Sequence, residues 1–252
     1  MKQSRFSGSL FYCIIFLLAS CAGSESEKKS STDSTITDSN IAVVGPKNTT
    51  ITTPQNVMVV KHKVSDYAKW KSAYDAYDSV LLANGIHSYL IGRGLQDSNM
   101  VLVTMKIDDI AKAKAFAKDP GLKKAWKKGG AMGKLTFTFV TMTFQDTDLV
   151  ASDIRSRTTF TVKDWSAWQK AFEEGKQERL DFGLAVRSFG HDADDDKKVI
   201  LITVVLDTAK AFAYYKSDLL KKRRAADGVI GEPDRFLYRG VLIPLWFKKI
   251  EN

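Results

Sequence analysis

Few residues in this sequence carry chemistry. The 252-residue chain has three histidines and two cysteines. His62 alternates with apolar residues in the run 57–64, His87 lies two residues before Tyr89, and His191 precedes Asp192, Asp194, Asp195 and Asp196. Histidine exchanges a proton near neutral pH, so His62 and His87 are candidates for a pocket acid or base, set against ordinary core or surface placement. The aspartates after His191 offer oxygens to a hard cation. That stretch has no glycine at the bend and no distal glutamate, so it reads as an exposed polar hairpin loop and no metal site is assigned. Trp70 and Trp168 recur at helical spacing with other apolar residues, as core or as pocket lining. Arg93 and Arg187 carry the forked guanidinium suited to an anionic group. No Gly-rich phosphate loop follows a strand, and no Gly-x-Ser-x-Gly elbow is present. The catalytic residues, if any, are left unassigned.

The cysteines speak to location. Lys2 and Arg5 precede a short apolar run that ends Leu18-Ala19-Ser20-Cys21. Such a run is short for a membrane span and suits a secretory signal. The tetrapeptide resembles the lipobox of bacterial lipoproteins, which implies cleavage before Cys21 and acylation of its thiol. Cys13 would be discarded with residues 1–20, and the charge of +9 would fall by Lys2 and Arg5 to about +7. Two or three acyl chains, at roughly 0.8 kcal/mol per buried methylene, anchor firmly. No thiol then remains for redox or metal work. Residues 21–55, rich in Ser, Thr, Asp and Asn, read as the lipidated cysteine and a flexible tether with a reach of roughly 30 Å. Ala22 in place of an aspartate favours the outer membrane, with its periplasmic and outer faces both open, while Glu25 and Glu27 loosely resemble a surface-export signal.

Positioning of the other residues depends on a duplication. Adding 98 carries Asp66 to Asp164, Trp70 to Trp168, Gly85 to Gly183, Asp109 to Asp207 and Gly133 to Gly231 without a gap. Each half, 56–148 and 149–252, reads as strand, helix, strand, strand, helix, strand. The runs 57–64 and 154–162 are β-branched strands. Ser65 or Asp66 caps a helix whose stripe is Trp70, Ala73, Tyr74, Tyr77 and Leu81, and Asn84-Gly85 ends it. Residues 86–92 and 100–106 form a hairpin. Asp108 or Asp109 opens a second helix, which Asp119-Pro120 breaks or restarts.

That order is the ferredoxin-like pattern. A four-stranded sheet with helices on one face leaves the other face apolar, and two such sheets can cover each other. With Asp66-x-x-x-Trp70, Asn84-Gly85, Ala111-x-Ala113-x-x-Phe116 and Gly130-x-x-Gly133, the chain is similar, over 57–247, to the antibiotic-biosynthesis-monooxygenase-like superfamily of dimeric α/β barrels. The resemblance implies an α+β fold in which two repeats form one intramolecular, pseudo-dimeric barrel, a monomer with pseudo-twofold symmetry. It also implies a range of roles, from cofactor-free oxygenation and haem degradation to proteins with no known reaction. The haem-degrading members place an iron ligand on the second helix. Here 108–133 contains Trp126 but no histidine, and Arg224 stands opposite Trp126 in the second half, so no cofactor is assigned.

Lys123-Lys124, Lys127-Lys128, Lys221-Lys222 and Arg223-Arg224 fall late in helices, where the helix dipole favours cations. They lack the interleaved aromatics of a nucleic-acid face, and no nucleic-acid partner is expected. The expected function is a lipid-anchored barrel that binds a small apolar or anionic ligand, or a partner, without catalysis. A cofactor-independent monooxygenase acting on a polycyclic or quinone-like substrate and a structural envelope lipoprotein are the alternatives.

Overall fold

The computed structural model describes residues 50–148 and 150–242. The signal segment, Cys21 and most of the tether lie outside the described residues. Among the described residues no helix is long and apolar enough to cross a membrane.

After a short strand β1 (Thr50–Ile51), the first repeat runs β2 (Gln55–Val64), α1 (Tyr67–Ala76), α2 (Asp78–Ala83), β3 (Ile86–Gly94), β4 (Met100–Ile107), α3 (Ile110–Phe116), α4 (Pro120–Lys128) and β5 (Ala131–Asp146). The second runs β6 (Ile154–Val162), α5 (Trp165–Glu174), α6 (Lys176–Asp181), β7 (Leu184–Asp192), β8 (Lys198–Val205), α7 (Thr208–Lys216), α8 (Asp218–Ala226) and β9 (Val229–Leu242). Thr50 and Ile51, which the sequence reading assigns to the tether, pair with Asp146 and Gln145. Each helix expected as one piece is two, because the chain breaks at Tyr77 and at its counterpart Gly175.

The duplication reaches individual caps. Asp66, Asp109, Asp164 and Asp207 each accept a hydrogen bond from the backbone N–H three residues on, at 2.7, 2.8, 2.7 and 3.0 Å. Each such cap stabilises its helix by about 1 kcal/mol. Asp119 caps α4 with Pro120 behind it, and Ser217 caps α8 at the matching place. Gly85 and Gly183 leave their helices with φ of 67° and 69°, a conformation that disfavours side chains. Bulges at Lys61/Lys63 and Ser88/Leu90 recur at Thr159/Thr161 and Val186/Ser188.

All strand pairings are antiparallel, in the order β1-β5-β2-β4-β3-β9-β6-β8-β7, and β7 pairs back onto β5. Eight strands therefore close into a barrel within one chain, with seams β3–β9 and β5–β7. The seams bring backbones close. A Cβ on Gly190 would stand 2.2 Å from the Thr141 carbonyl oxygen, and one on Gly92 would stand 2.3 Å from the Tyr238 ring.

Alternation along the strands divides the core. Val57, Val59, Leu102, Val140, Met142 and Ile200 pack inside the barrel. In the first repeat one continuous cluster fills the space between sheet and helices, including Met58, Val60, Trp70, Leu81, Met105, Phe116 and Trp126. In the second repeat that layer is split. Trp168 and Phe172 pack with Val162 and Val199, while Leu184, Val205, Ala211 and Tyr214 form a separate group.

Candidate functional site

Between those two groups lies a cleft of about 70 Å³, covered by α5 to α8 and floored by the outer face of β6, β7, β8 and β9. Its apolar wall includes Phe160, Trp168 and Phe172, and its polar wall includes Arg179, Arg223, Arg224, Arg235, Tyr214 and Tyr215. Asp227 is the one carboxylate that lines the cleft among the described residues. Since a water takes about 10–15 Å³ of such space, the cleft has room for roughly five or six waters.

The first repeat shows what the same positions hold in a filled layer. Subtracting 98 turns Arg179, Arg224 and Arg235 into Leu81, Trp126 and Phe137, and Tyr214, Thr203 and Thr158 into Phe116, Met105 and Val60. Those first-repeat residues pack together in its single cluster. An apolar core has been exchanged for cations and hydroxyls on an unchanged scaffold.

The cations are only partly satisfied. The Arg179 guanidinium stacks on the Phe172 ring at 3.7 Å, and its Nη1 donates to the Phe172 carbonyl at 2.7 Å. Its Nε and Nη2 are buried without a partner. Arg235 stacks on Tyr215 at 3.5 Å, and both its Nε and the Tyr215 hydroxyl are buried and unpartnered. Arg223 is neutralised, because its Nη2 donates to Glu178 Oε2 at 2.9 Å while Tyr214 donates to Oε1. Burial works upward on the Glu178 carboxyl, but the bonds from Arg223 and Tyr214 outweigh it and hold it low. Burial pushes Arg179 and Arg224 down and Arg235 down to about 10, and raises the Asp227 carboxyl. Desolvated donors of this kind favour an anion, which would complete their hydrogen bonds.

The candidates read from the sequence do not meet in one place. Trp168 lines the cleft, whereas its counterpart Trp70 is 2% exposed in the filled layer. His62 is also 2% exposed, with ring centroids 5.4 Å from Trp70 and 5.1 Å from Trp126 and neither nitrogen hydrogen-bonded. Burial pushes its imidazole down to about 4. His87 is half-buried, with Nε2 3.0 Å from Asp108 Oδ1. Arg93 donates through Nε to the Ser98 carbonyl at 3.0 Å and stacks on Tyr67 at 3.9 Å. Arg187 lines a different cavity, inside the barrel. His191, expected in a loop, is instead on β7 because the strand continues to Asp192 along β5; its ring stands 5.0 Å from Trp165. Of the aspartates beyond it, Asp194 pairs with Lys114 at 2.5 Å and Asp195 with Lys198 at 3.2 Å. Among the described residues no three His, Cys, Asp or Glu side chains converge as a metal site.

Arg179, Arg235, Tyr214 and Tyr215 are missing from the sequence reading. The signal that finds them is the offset itself, at positions where one repeat is apolar and the other charged.

A porphyrin does not fit a space of about 70 Å³, and no histidine lies on the wall to serve as its ligand. No family model matches the chain, and no curated protein matches it. Solved structures do. An anthrone oxidase-like protein is 15% identical, covering 76% of this chain and 94% of that one, with a TM-score of 0.51. A protein assigned as a chlorite dismutase is 14% identical over 75% and 96%, with a TM-score of 0.52. A protein from Fusobacterium nucleatum assigned as a monooxygenase is 14% identical over 74% and 92%, with a TM-score of 0.50. At these identities the likeness speaks for the fold: the chain is an α+β barrel of the dimeric α/β-barrel kind, with both halves in one polypeptide.

Proposed function

We propose that the second repeat binds a small ligand joining an aromatic body to an anionic group, and that the first repeat serves as its structural partner. One observation carries this reading: Arg179, Arg224 and Arg235 replace the apolar residues Leu81, Trp126 and Phe137 of the first repeat, and two of the three keep buried donors unpartnered. Cations flanked by Trp168, Phe172 and Phe160 match a ring that ends in a carboxylate. The module acts without catalysis as a monomer, anchored through Cys21 to the outer membrane. The lipobox-like Leu18-Ala19-Ser20-Cys21 supports that anchoring.

Calorimetric titration of the full-length protein tests the binding. Benzoate is expected to bind and benzamide, its neutral analogue, to bind at least tenfold more weakly. Arg179→Leu and Arg235→Phe together should remove the difference. Equal affinity for both compounds would contradict the reading.

A second reading, a cofactor-independent monooxygenase, draws on Asp227. Burial raises the pKa of this carboxyl beside the aromatic wall, making it a stronger base than an ordinary carboxylate. It would take a proton from an acidic carbon at the edge of a polycyclic substrate whose other rings stay outside the 70 Å³ cleft, and the arginines would hold the resulting oxyanion. The likeness to an anthrone oxidase-like protein names a substrate to try. Oxygen uptake with anthrone that is lost in Asp227→Asn would support this chemistry. No uptake above the uncatalysed rate would leave the binding role alone.

A further inference from the structure

Inside the barrel, on the opposite face of the sheet from the cleft, is a second cavity of about 90 Å³. One part of its wall is apolar, with Val57, Val59, Leu102, Met142, Ile200 and Ile202. The rest carries Lys106, Arg155, Arg157 and Arg187 beside Tyr89 and Tyr238, and among the described residues no carboxylate lines it.

Arg155 and Arg187 are close enough to act on one another, and the arginines act on the two tyrosines. Arg155 and Arg187 each draw the Tyr89 hydroxyl down against the rise from burial, and Arg155 and Arg157 do the same to Tyr238. Lys106 stands 5.3 Å from the centre of the Tyr89 ring. Arg157 is 7% exposed, and its Nε has no partner. Arg155 donates to the Ser152 and Ile154 carbonyls and Arg187 to the Asp148 carbonyl, contacts that orient a guanidinium without cancelling its charge. Two carboxylates that act on Arg155 and Arg157 are engaged elsewhere or exposed. Asp153 pairs with Arg239 at 2.8 Å, and Asp234 lies 4.0 Å from Lys61 and largely in solvent.

The repeat again shows that these charges are not needed by the fold. Arg155 and Arg157 stand where the first repeat has Val57 and Val59, in the same strand registers, and Arg187 stands at the bulge position that Tyr89 holds in the first repeat. A buried cation without a counter-charge destabilises the folded state, and an enclosed oxyanion that accepts from several guanidiniums offsets this. We propose that the barrel interior is a second binding site, separate from the helix-covered cleft, for a small multiply charged oxyanion of the phosphate or sulfate kind. Lys106, Arg155, Arg157 and Arg187 would contact it, with the Tyr89 and Tyr238 hydroxyls within the same polar wall.

The test is thermal unfolding of the full-length protein in inorganic phosphate up to 50 mM, against chloride at matched ionic strength. Phosphate should raise the Tm above the chloride control through binding to the folded state. Arg157→Met should weaken this response at least tenfold in concentration without lowering the Tm in chloride, and Arg187→Gln should weaken it in part. If Arg157→Met does not fold, ³¹P line broadening of phosphate by wild type and by Arg187→Gln decides the matter, with the broadening reduced in the variant. Arg235→Phe, in the other cleft, should leave the phosphate response intact. The proposal is overturned if phosphate acts no differently from chloride, if it acts equally on wild type and interior variants, or if Arg235→Phe alone abolishes its effect.

Discussion

Replacing Arg235 by phenylalanine, the residue the first repeat carries at the matching position 137, should make the protein more stable. Burial pushes the Arg235 guanidinium well below its ordinary value, down to about 10. Arginine stays charged in proteins, so a shift of that size, caused chiefly by burial, corresponds to a cost of about 3 kcal/mol to the folded state at roughly 1.4 kcal/mol per unit. The folded value lies below the unfolded one. Because the group carries its charge in both the folded and the unfolded chain at pH 7, the full penalty applies there. The stack on Tyr215 at 3.5 Å returns about 1–2 kcal/mol, which the variant gives up. The net expectation for Arg235→Phe is a gain of about 1–2 kcal/mol. Urea unfolding at pH 7, followed by circular dichroism, should show a higher midpoint at an unchanged slope. In saturating benzoate the wild type should close this gap, because ligand binding stabilises only the protein that retains the cation. A lower midpoint for Arg235→Phe at the same slope would refute the reasoning, since it would mean that the guanidinium is fully satisfied without a ligand.

Three further outcomes are expected. The imidazole of His62, held near 4 by burial, stays neutral in the folded chain while the unfolded chain protonates below about 6.5, so its contribution is present above pH 6.5 and lost as pH falls towards 4. That amounts to about 3 kcal/mol, and His62→Phe, which installs the counterpart residue Phe160, should flatten the fall in urea midpoint between pH 7 and pH 4.5. Gly190→Ala sets a Cβ against the Thr141 carbonyl and the Met142 Cα at the β5–β7 seam, and should lower stability by about 1–3 kcal/mol, read from thermal unfolding. Cys21→Ala should move the protein out of the membrane fraction or leave it unprocessed; a processed chain that stays in the membrane would defeat the lipid anchor.

Much of the architecture could be read from residues alone because its determinants are local. An aspartate before each helix, a glycine after it and a β-branched run beside it act within a few residues, and duplication displayed each of them twice. The barrel seams were less legible. Their pairing joins β3 to β9 and β5 to β7, strands brought together only by the closed tertiary structure. The helix breaks at Tyr77 and Gly175 were missed because the apolar stripe continues across them.

The cleft was hardest to see. Arg223 and Arg224 end α8 and read as solvated partners of the helix dipole, which Arg223, bonded to Glu178, is not. Arg179 and Arg235 come from a short helix and a strand 56 residues apart, and only the packed layer brings them onto one wall. Aromatic spacing suggested Trp70 and Trp168 as equivalents. They are equivalent in backbone position, yet one is sealed in a continuous core and the other borders open space, because the residues around them have diverged.

The central claim is that unpartnered guanidinium donors in the second repeat meet an anionic aromatic ligand. Arginine Nε–H resonances of ¹⁵N-labelled full-length protein report on those atoms directly. On titration with benzoate, the signals assigned to Arg179 and Arg235 by Arg179→Leu and Arg235→Phe should shift together along one binding curve and gain protection from exchange with water. If both stay in place while benzoate binds elsewhere or not at all, the cleft is not the ligand site and the account is contradicted.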